Sequence, residues 1–259
     1  FFFFFFSAFA ATYYSIVATG TFTTLATWST SRTGTPINAT ALAAGDIFII
    51  QTGNNITLAT VTAASVTIES GGTLTSAIAT LNSPLTIDSG GTLNLSTINA
   101  LTMGTGGNVT NNGTISGTSG RLTMGVNTLT NNGSFSLSTG RLTRTTGAVT
   151  NNGSISFSGN GQFTSSSNGV FTNGPTGTFS ATVAMTITLG TGNFVNNNTS
   201  ASVNFGPSAV ALAGTTRSVG GFTATGAITA TNASGTITIT GNINGAKKKK
   251  SGAGTINFG

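Results

Sequence analysis

The chain has no cysteine and no histidine, and only three acidic residues, Asp46, Glu69 and Asp88, in 259 positions. Without cysteine, neither a disulfide nor thiol chemistry can be invoked. Without histidine, the commonest general base, the Ser–His pair and most zinc sites disappear. Glycosidases on elongated β scaffolds need at least two carboxylates across one bond, and three acids leave little for that chemistry. No catalytic residue, resident metal or cofactor is therefore expected. Charged residues make up 5% of the chain, against about a quarter in ordinary soluble proteins. The formal charge of +6 overstates the basic character, because four of the nine cations are one run, Lys247 to Lys250. Arg32, Arg121, Arg141, Arg144 and Arg217 are scattered. A basic stripe with stacking aromatics is missing, so no nucleic-acid partner is expected. No run of about 20 apolar residues occurs, so no transmembrane helix is expected.

In place of charge stand Ser, Asn, 37 Gly and Thr, the last about a fifth of the chain. Thr and the β-branched aliphatics favour strands, and Gly and Asn favour turns. The composition is that of an all-β protein with short strands.

Repetition at a fixed period is the strongest signal. "VTNNGTIS" at Val109 returns as "LTNNGSFS" at Leu129 and "VTNNGSIS" at Val149; "GRLTM" at Gly120 returns as "GRLTR" at Gly140. "TIESGGTLTS" near Ser70 returns as "TIDSGGTLNL" near Ser89. Between these turns the residues alternate, as in Ser134-Phe135-Ser136-Leu137, which is the period of a half-buried strand. A unit of about 20 residues with two or three short strands is one coil of a parallel β-solenoid. Each coil hydrogen-bonds to the next at about 4.8 Å, and eleven or twelve coils would make a rod roughly 55 Å long. The expected organisation is a segment over 1–10, an N-terminal capping region with the first coils over 11–60, and a solenoid over 61–259.

Equivalent residues of successive coils stack. Asn111, Asn131 and Asn151, with Asn112, Asn132 and Asn152 beside them, are expected to form amide ladders along a turn, where Asn tolerates a left-handed backbone. Glu69 and Asp88 fall in matching places. Stacked carboxylates either raise one pKa or share a cation, and calcium would need several further oxygens; the plain alternative is two solvated corner residues. Arg121 and Arg141 stack by the same arithmetic, as an anion or glycan contact or as exposed turn cations. Ice binding would need the same outward Thr pair on one flat face of every coil. Thr186-Ile187-Thr188 and Thr236-Ile237-Thr238 look isolated and the central repeats carry Ser or mixed residues, so the sequence does not point there.

The order Tyr13-Tyr14-Ser15, Thr27-Trp28-Ser29, Pro36, Gly45-Asp46-Ile47-Phe48-Ile49-Ile50 and then "SGGTL" resembles the start of large secreted surface proteins of Bacteroidetes. These are the adhesin-like β-helix proteins exported by the type IX system. The likeness covers about the first 95 residues, with Phe22 where such proteins carry Trp and with no C-terminal sorting domain visible. "KKKKSGAGTINFG" is similar to a turn-and-strand motif in passenger repeats of bacterial autotransporters, and the chain is expected to be cut short after it. The resemblance implies an extracellular or cell-surface location.

Two expectations stand for Phe1, Phe2, Phe3, Phe4, Phe5 and Phe6. They form the apolar part of a secretory signal, with Ala8-Phe9-Ala10 as the cleavage site, or an assembly strand that caps a coil or docks on a neighbour. The expected function is a non-catalytic, secreted structural or adhesive β-solenoid that forms or joins a cell-surface filament by end-to-end stacking, with self-association or cell-surface and glycan contacts. The alternative is a glycan-binding or glycan-cleaving β-helix.

Overall fold

The structure, a computed structural model, describes residues 10–35, 42–95, 100–182, 194–198 and 203–204 in full, and beyond them the backbone of strands as far as Phe258. The Phe1–Phe6 expectation lies outside the described residues. The fold is an all-β parallel solenoid with no α-helix among the described residues. Each coil contributes one strand to each of three sheets, of 13, 11 and 10 strands. The coils recur about every 21 residues.

The alternation in the sequence is what closes the coil. In Ser134–Leu137 and Ser154–Phe157 the odd-numbered side chains are buried and the serines face outward. The register is residue for residue: Ser134 pairs with Ser154, Phe135 with Ile155 and Leu137 with Phe157. A one-residue slip would turn every apolar side chain to solvent, so this register is strongly specified. The interior is a column of stacked apolar residues in which Phe135, Phe157, Phe163, Phe171 and Phe179 are almost fully buried. Phe171 and Phe194 lie parallel with centroids 5.1 Å apart.

Glycine is required where coils approach most closely. A Cβ on Gly133 would overlap the Gly113 carbonyl oxygen, and one on Gly153 would overlap that of Gly133. Gly71 and Gly90 of the two "SGG" corners have φ of 74° and 85°, a region that other L residues rarely enter.

At its N-terminal end the column is closed by aromatic side chains. Trp28 meets Phe22 and Phe48 at 4.9 Å between centroids, and its indole N–H donates to the Phe22 carbonyl at 2.7 Å. Trp28–Ser29 pairs antiparallel with Thr12–Ser15 and ends the first sheet. The remainder of that sheet is parallel, beginning with Thr12 beside Ile47. Asp46 fixes the join: its carboxylate accepts from the Ala11 and Ala43 amides at 3.1 and 2.7 Å.

Candidate functional surface

Five asparagines form a continuous amide ladder in the dry interior. Each Nδ2 donates to the Oδ1 one coil on: Asn111 to Asn131 at 2.6 Å, Asn131 to Asn151 at 2.7 Å, Asn151 to Asn173 at 2.8 Å and Asn173 to Asn196 at 2.9 Å. All five are fully buried. The second hydrogen of Asn111, Asn131 and Asn151 goes to the carbonyls of Ser134, Ser154 and Thr178, which knits the end of the first sheet to the start of the second. The ladder expected from the sequence is present, but it does not run along a turn with left-handed Asn. Asn111, Asn131 and Asn151 end extended strands and face inward, and among the described residues only glycine has positive φ. Asn173 and Asn196 extend the ladder through coils lengthened by insertions, which masked the period.

Beside it runs the outer ladder, exposed and opposite in polarity. Asn132 donates back to Asn112, and Asn152 to Asn132, both at 2.9 Å. The inner amide dipoles point toward the C-terminal end and the outer ones toward the N-terminal end.

Glu69 and Asp88 occupy equivalent corners, one step past the paired Ile68 and Ile87. Glu69 is engaged elsewhere. Arg32 grips it through both Nη atoms, one contact being 2.8 Å, and lies 4.8 Å from the Tyr14 ring centroid. The Arg32 hydrogen bond holds the Glu69 carboxyl below its usual range. Together with Ser15, Gln51 and Asn54 the pair lines an open polar cleft of about 360 Å³. Its polar groups largely satisfy one another: Gln51 Nε2 donates to the Ser15 and Arg32 carbonyls, and Asn54 Nδ2 to the Ser15 carbonyl. The cleft pins the 30–34 loop onto the first coils. No cluster of three or more candidate metal ligands exists among the described residues.

Arg121 and Arg141 do stack in register, both exposed. Arg144 does not join them. It is 2% exposed and points into the core; in sequence it matches the buried Met124 of the preceding "GRLTM" repeat, while a register shift there sets Gly125 beside it. Its Nη1 donates to the Gly147 and Val170 carbonyls at 2.8 and 2.6 Å, and its carbon Cζ lies 5.6 Å from the Phe163 ring centroid. Nε and Nη2 have no partner. Burial pushes the guanidinium down to about 10, so it remains charged at neutral pH. The only signal in the sequence was the Met-to-Arg change at an inward position of the repeat.

The outward face of the second sheet carries two straight columns of small polar residues. Thr73 and Thr75 flank a buried Leu74, Thr114 and Ser116 flank Ile115, and Ser134 and Ser136 flank Phe135. Successive pairs are in register, with Asn94 beside Thr92 and with Thr178 and Ser180 continuing the columns. Small polar residues thus recur coil after coil on one face, and the central coils carry Ser or mixed pairs, as the sequence indicated, not a repeated Thr pair. The first sheet has a single such column, Thr67, Thr86, Thr110, Thr130, Thr150 and Thr172.

Comparison with protein-family models finds no family that matches the chain, and comparisons with curated proteins and with solved structures find no match either. No helix among the described residues is long and apolar enough to cross a membrane.

Proposed function

We propose that the chain is a non-catalytic, extracellular structural or adhesive protein, a rigid rod that works through its lateral surface and joins a cell-surface filament. The observation that carries this is the unbroken stacking of coils over a buried amide ladder, beneath an exterior almost free of ionisable side chains. Flat sheets of many strands persist where stacking and side-chain ladders hold them. Low charge removes the repulsion that keeps copies apart. The Trp28–Ser29 strand blunts one sheet edge at the N-terminal end, which leaves the second and third sheets to carry end-to-end contact. The resemblance of about the first 95 residues to secreted surface proteins supports the location. Electron microscopy and sedimentation of the purified chain over a concentration series test the reading. Rods that lengthen with concentration are expected, and short monomers at every concentration would sink the filament.

A further inference from the structure

The few charges of this chain are sorted between its sheets. Seven of the nine cations lie in strands of the third sheet: Arg121, Arg141, Arg144 and the run Lys247–Lys250. Of the three arginines, only Arg144 turns into the core. None of the three acids lies in that sheet. Asp46 precedes a strand of the first sheet, and Glu69 and Asp88 each follow one. Of the two remaining cations, Arg32 is paired with Glu69 and Arg217 lies in the first sheet. Arg121 and Arg141 are exposed and paired in register on successive coils. Among the described residues Arg32–Glu69 is the one ion pair, so no carboxylate neutralises either of them.

The arginines stand in a line that follows the rod axis, with Gln162 next in register after Arg141. Beside it runs a line of half-buried threonines, Thr80, Thr102, Thr123, Thr143 and Thr164. Lys247–Lys250 pairs residue for residue with Ala227–Ala230 at the far end of the same sheet. That strand lies about 24 Å beyond the strand of Arg141 at strand spacing. A lone exposed ion pair contributes little, so a small anion has nothing to hold it here. A polymer that meets one cation brings its next charge to the neighbouring coil at high effective concentration. The partner that fits is therefore a linear polyanion. Duplex DNA carries a charge for about every 1.7 Å of its axis, far denser than one cation per coil. Single-stranded nucleic acid is held by stacked aromatics, and the outward residues of the strands at Ala100–Met103, Arg121–Gly125, Arg141–Arg144 and Gln162–Ser165 include none. A chain of acidic sugars carries its carboxylate or sulfate groups ring by ring, at a spacing close to that of the coils, and its hydroxyls suit the threonine line.

We infer that the outward face of the third sheet binds an acidic polysaccharide laid along the rod axis. Its carboxylate or sulfate groups meet Arg121 and Arg141, and its hydroxyls meet the threonine line. The inference rests on the reading of the chain as a rod acting through its lateral surface, for which it names the ligand class, and is independent of self-association.

The test is biolayer interferometry of the purified chain on immobilised polygalacturonate and dextran sulfate, compared with uncharged dextran, poly(dT) and phosphatidylglycerol vesicles. Binding to both acidic polysaccharides is expected, weakening as sodium chloride rises because exposed charges are screened, with none to dextran. Arg141→Gln and Arg217→Gln each remove one charge, the first from the third sheet and the second from the first. Arg141→Gln is expected to lower affinity several-fold, and Arg121→Gln combined with it to lower affinity further, while Arg217→Gln keeps it. Circular dichroism and melting temperature check that the variants fold. Failure to bind either acidic polysaccharide overturns the inference, as do equal losses from Arg141→Gln and Arg217→Gln. Tighter binding to poly(dT) or to the vesicles than to the polysaccharides also overturns it. A chain that binds the polysaccharides but stays monomeric would sink only the filament, and a chain that polymerises without binding them would sink only this inference.

Discussion

The Asn131 side-chain amide donates to Asn151 at 2.7 Å and its oxygen accepts from Asn111 at 2.6 Å, with all three residues closed off from solvent. Water cannot replace a missing rung in that position. Asn131→Leu leaves the Asn151 oxygen and one hydrogen of Asn111 without partners, and a buried unsatisfied group costs about 1–3 kcal/mol. The expected loss is ~2–6 kcal/mol for the two groups by that figure, read as a lower urea midpoint at unchanged slope. Asn132→Ala on the exposed outer ladder is expected to cost under ~1 kcal/mol, because water takes over its hydrogen bonds. Equal losses for the two would show that burial is not what gives the inner ladder its weight.

The ladder begins abruptly. Asn111 Oδ1 is buried without a partner, because the residue in register one coil earlier is Ile87. An Asn at position 87 would present its amide to that oxygen. Burying Asn in an apolar site is ordinarily costly, so Ile115→Asn, at another fully buried position, serves as the reference. Ile87→Asn is expected to be milder by at least ~1 kcal/mol, the worth of a recovered hydrogen bond. Matched denaturation curves decide it.

Arg144 is a buried cation with no carboxylate beside it; the chain's acids are at positions 46, 69 and 88. Replacing buried charges by well-packed apolar residues is often stabilising by about 1–4 kcal/mol. Arg144→Met restores the residue of the preceding repeat, removes two orphan donors and keeps an unbranched chain against Phe163. A rise in stability of a few kcal/mol on that scale is expected, seen as a higher melting temperature. A lower melting temperature would show that the bonds to Gly147 and Val170 outweigh desolvation.

Glu69 supplies the acid sensitivity of the N-terminal coils. Its folded pKa is lowered by Arg32, so its contribution is fully present above the ordinary carboxyl value of 4.5 and is lost as pH falls through the lower folded value. Native stability is expected to decline over that acid range. Glu69→Gln, measured by thermal melts from neutral to acid pH, should be slightly less stable near neutrality and show a flatter decline. An unchanged pH profile would mean the exposed pair contributes nothing, as many surface pairs do.

Much of this architecture is legible in the linear chain. The recurrence of "TNNG" and the alternation in Ser154-Ile155-Ser156-Phe157 specify coil, strand and register, because both follow from local backbone geometry. Gly113, Gly133 and Gly153 share that spacing, but the close approach that requires glycine there is visible only in the folded chain. Other features depend on where the coil closes. The same Asn repeat fits a turn or an inward-facing strand end, and only packing against the next coil's carbonyls selects the interior. The last residue of "GRLTR" looks like one more surface cation until the third sheet turns it into the core. Arg32 meets Glu69 across 37 residues because a capping loop folds back over the first coils, a contact with no periodic trace.

The sequence by itself determined a charge-poor β-solenoid with about 20 residues per coil, since periodicity and composition act on every repeat alike. The tertiary structure alone decided which polar rows face inward and which align on an open face. That choice is made by the cost of burying unpaired groups and by the stacking of one coil on the next, neither of which is a property of any single segment.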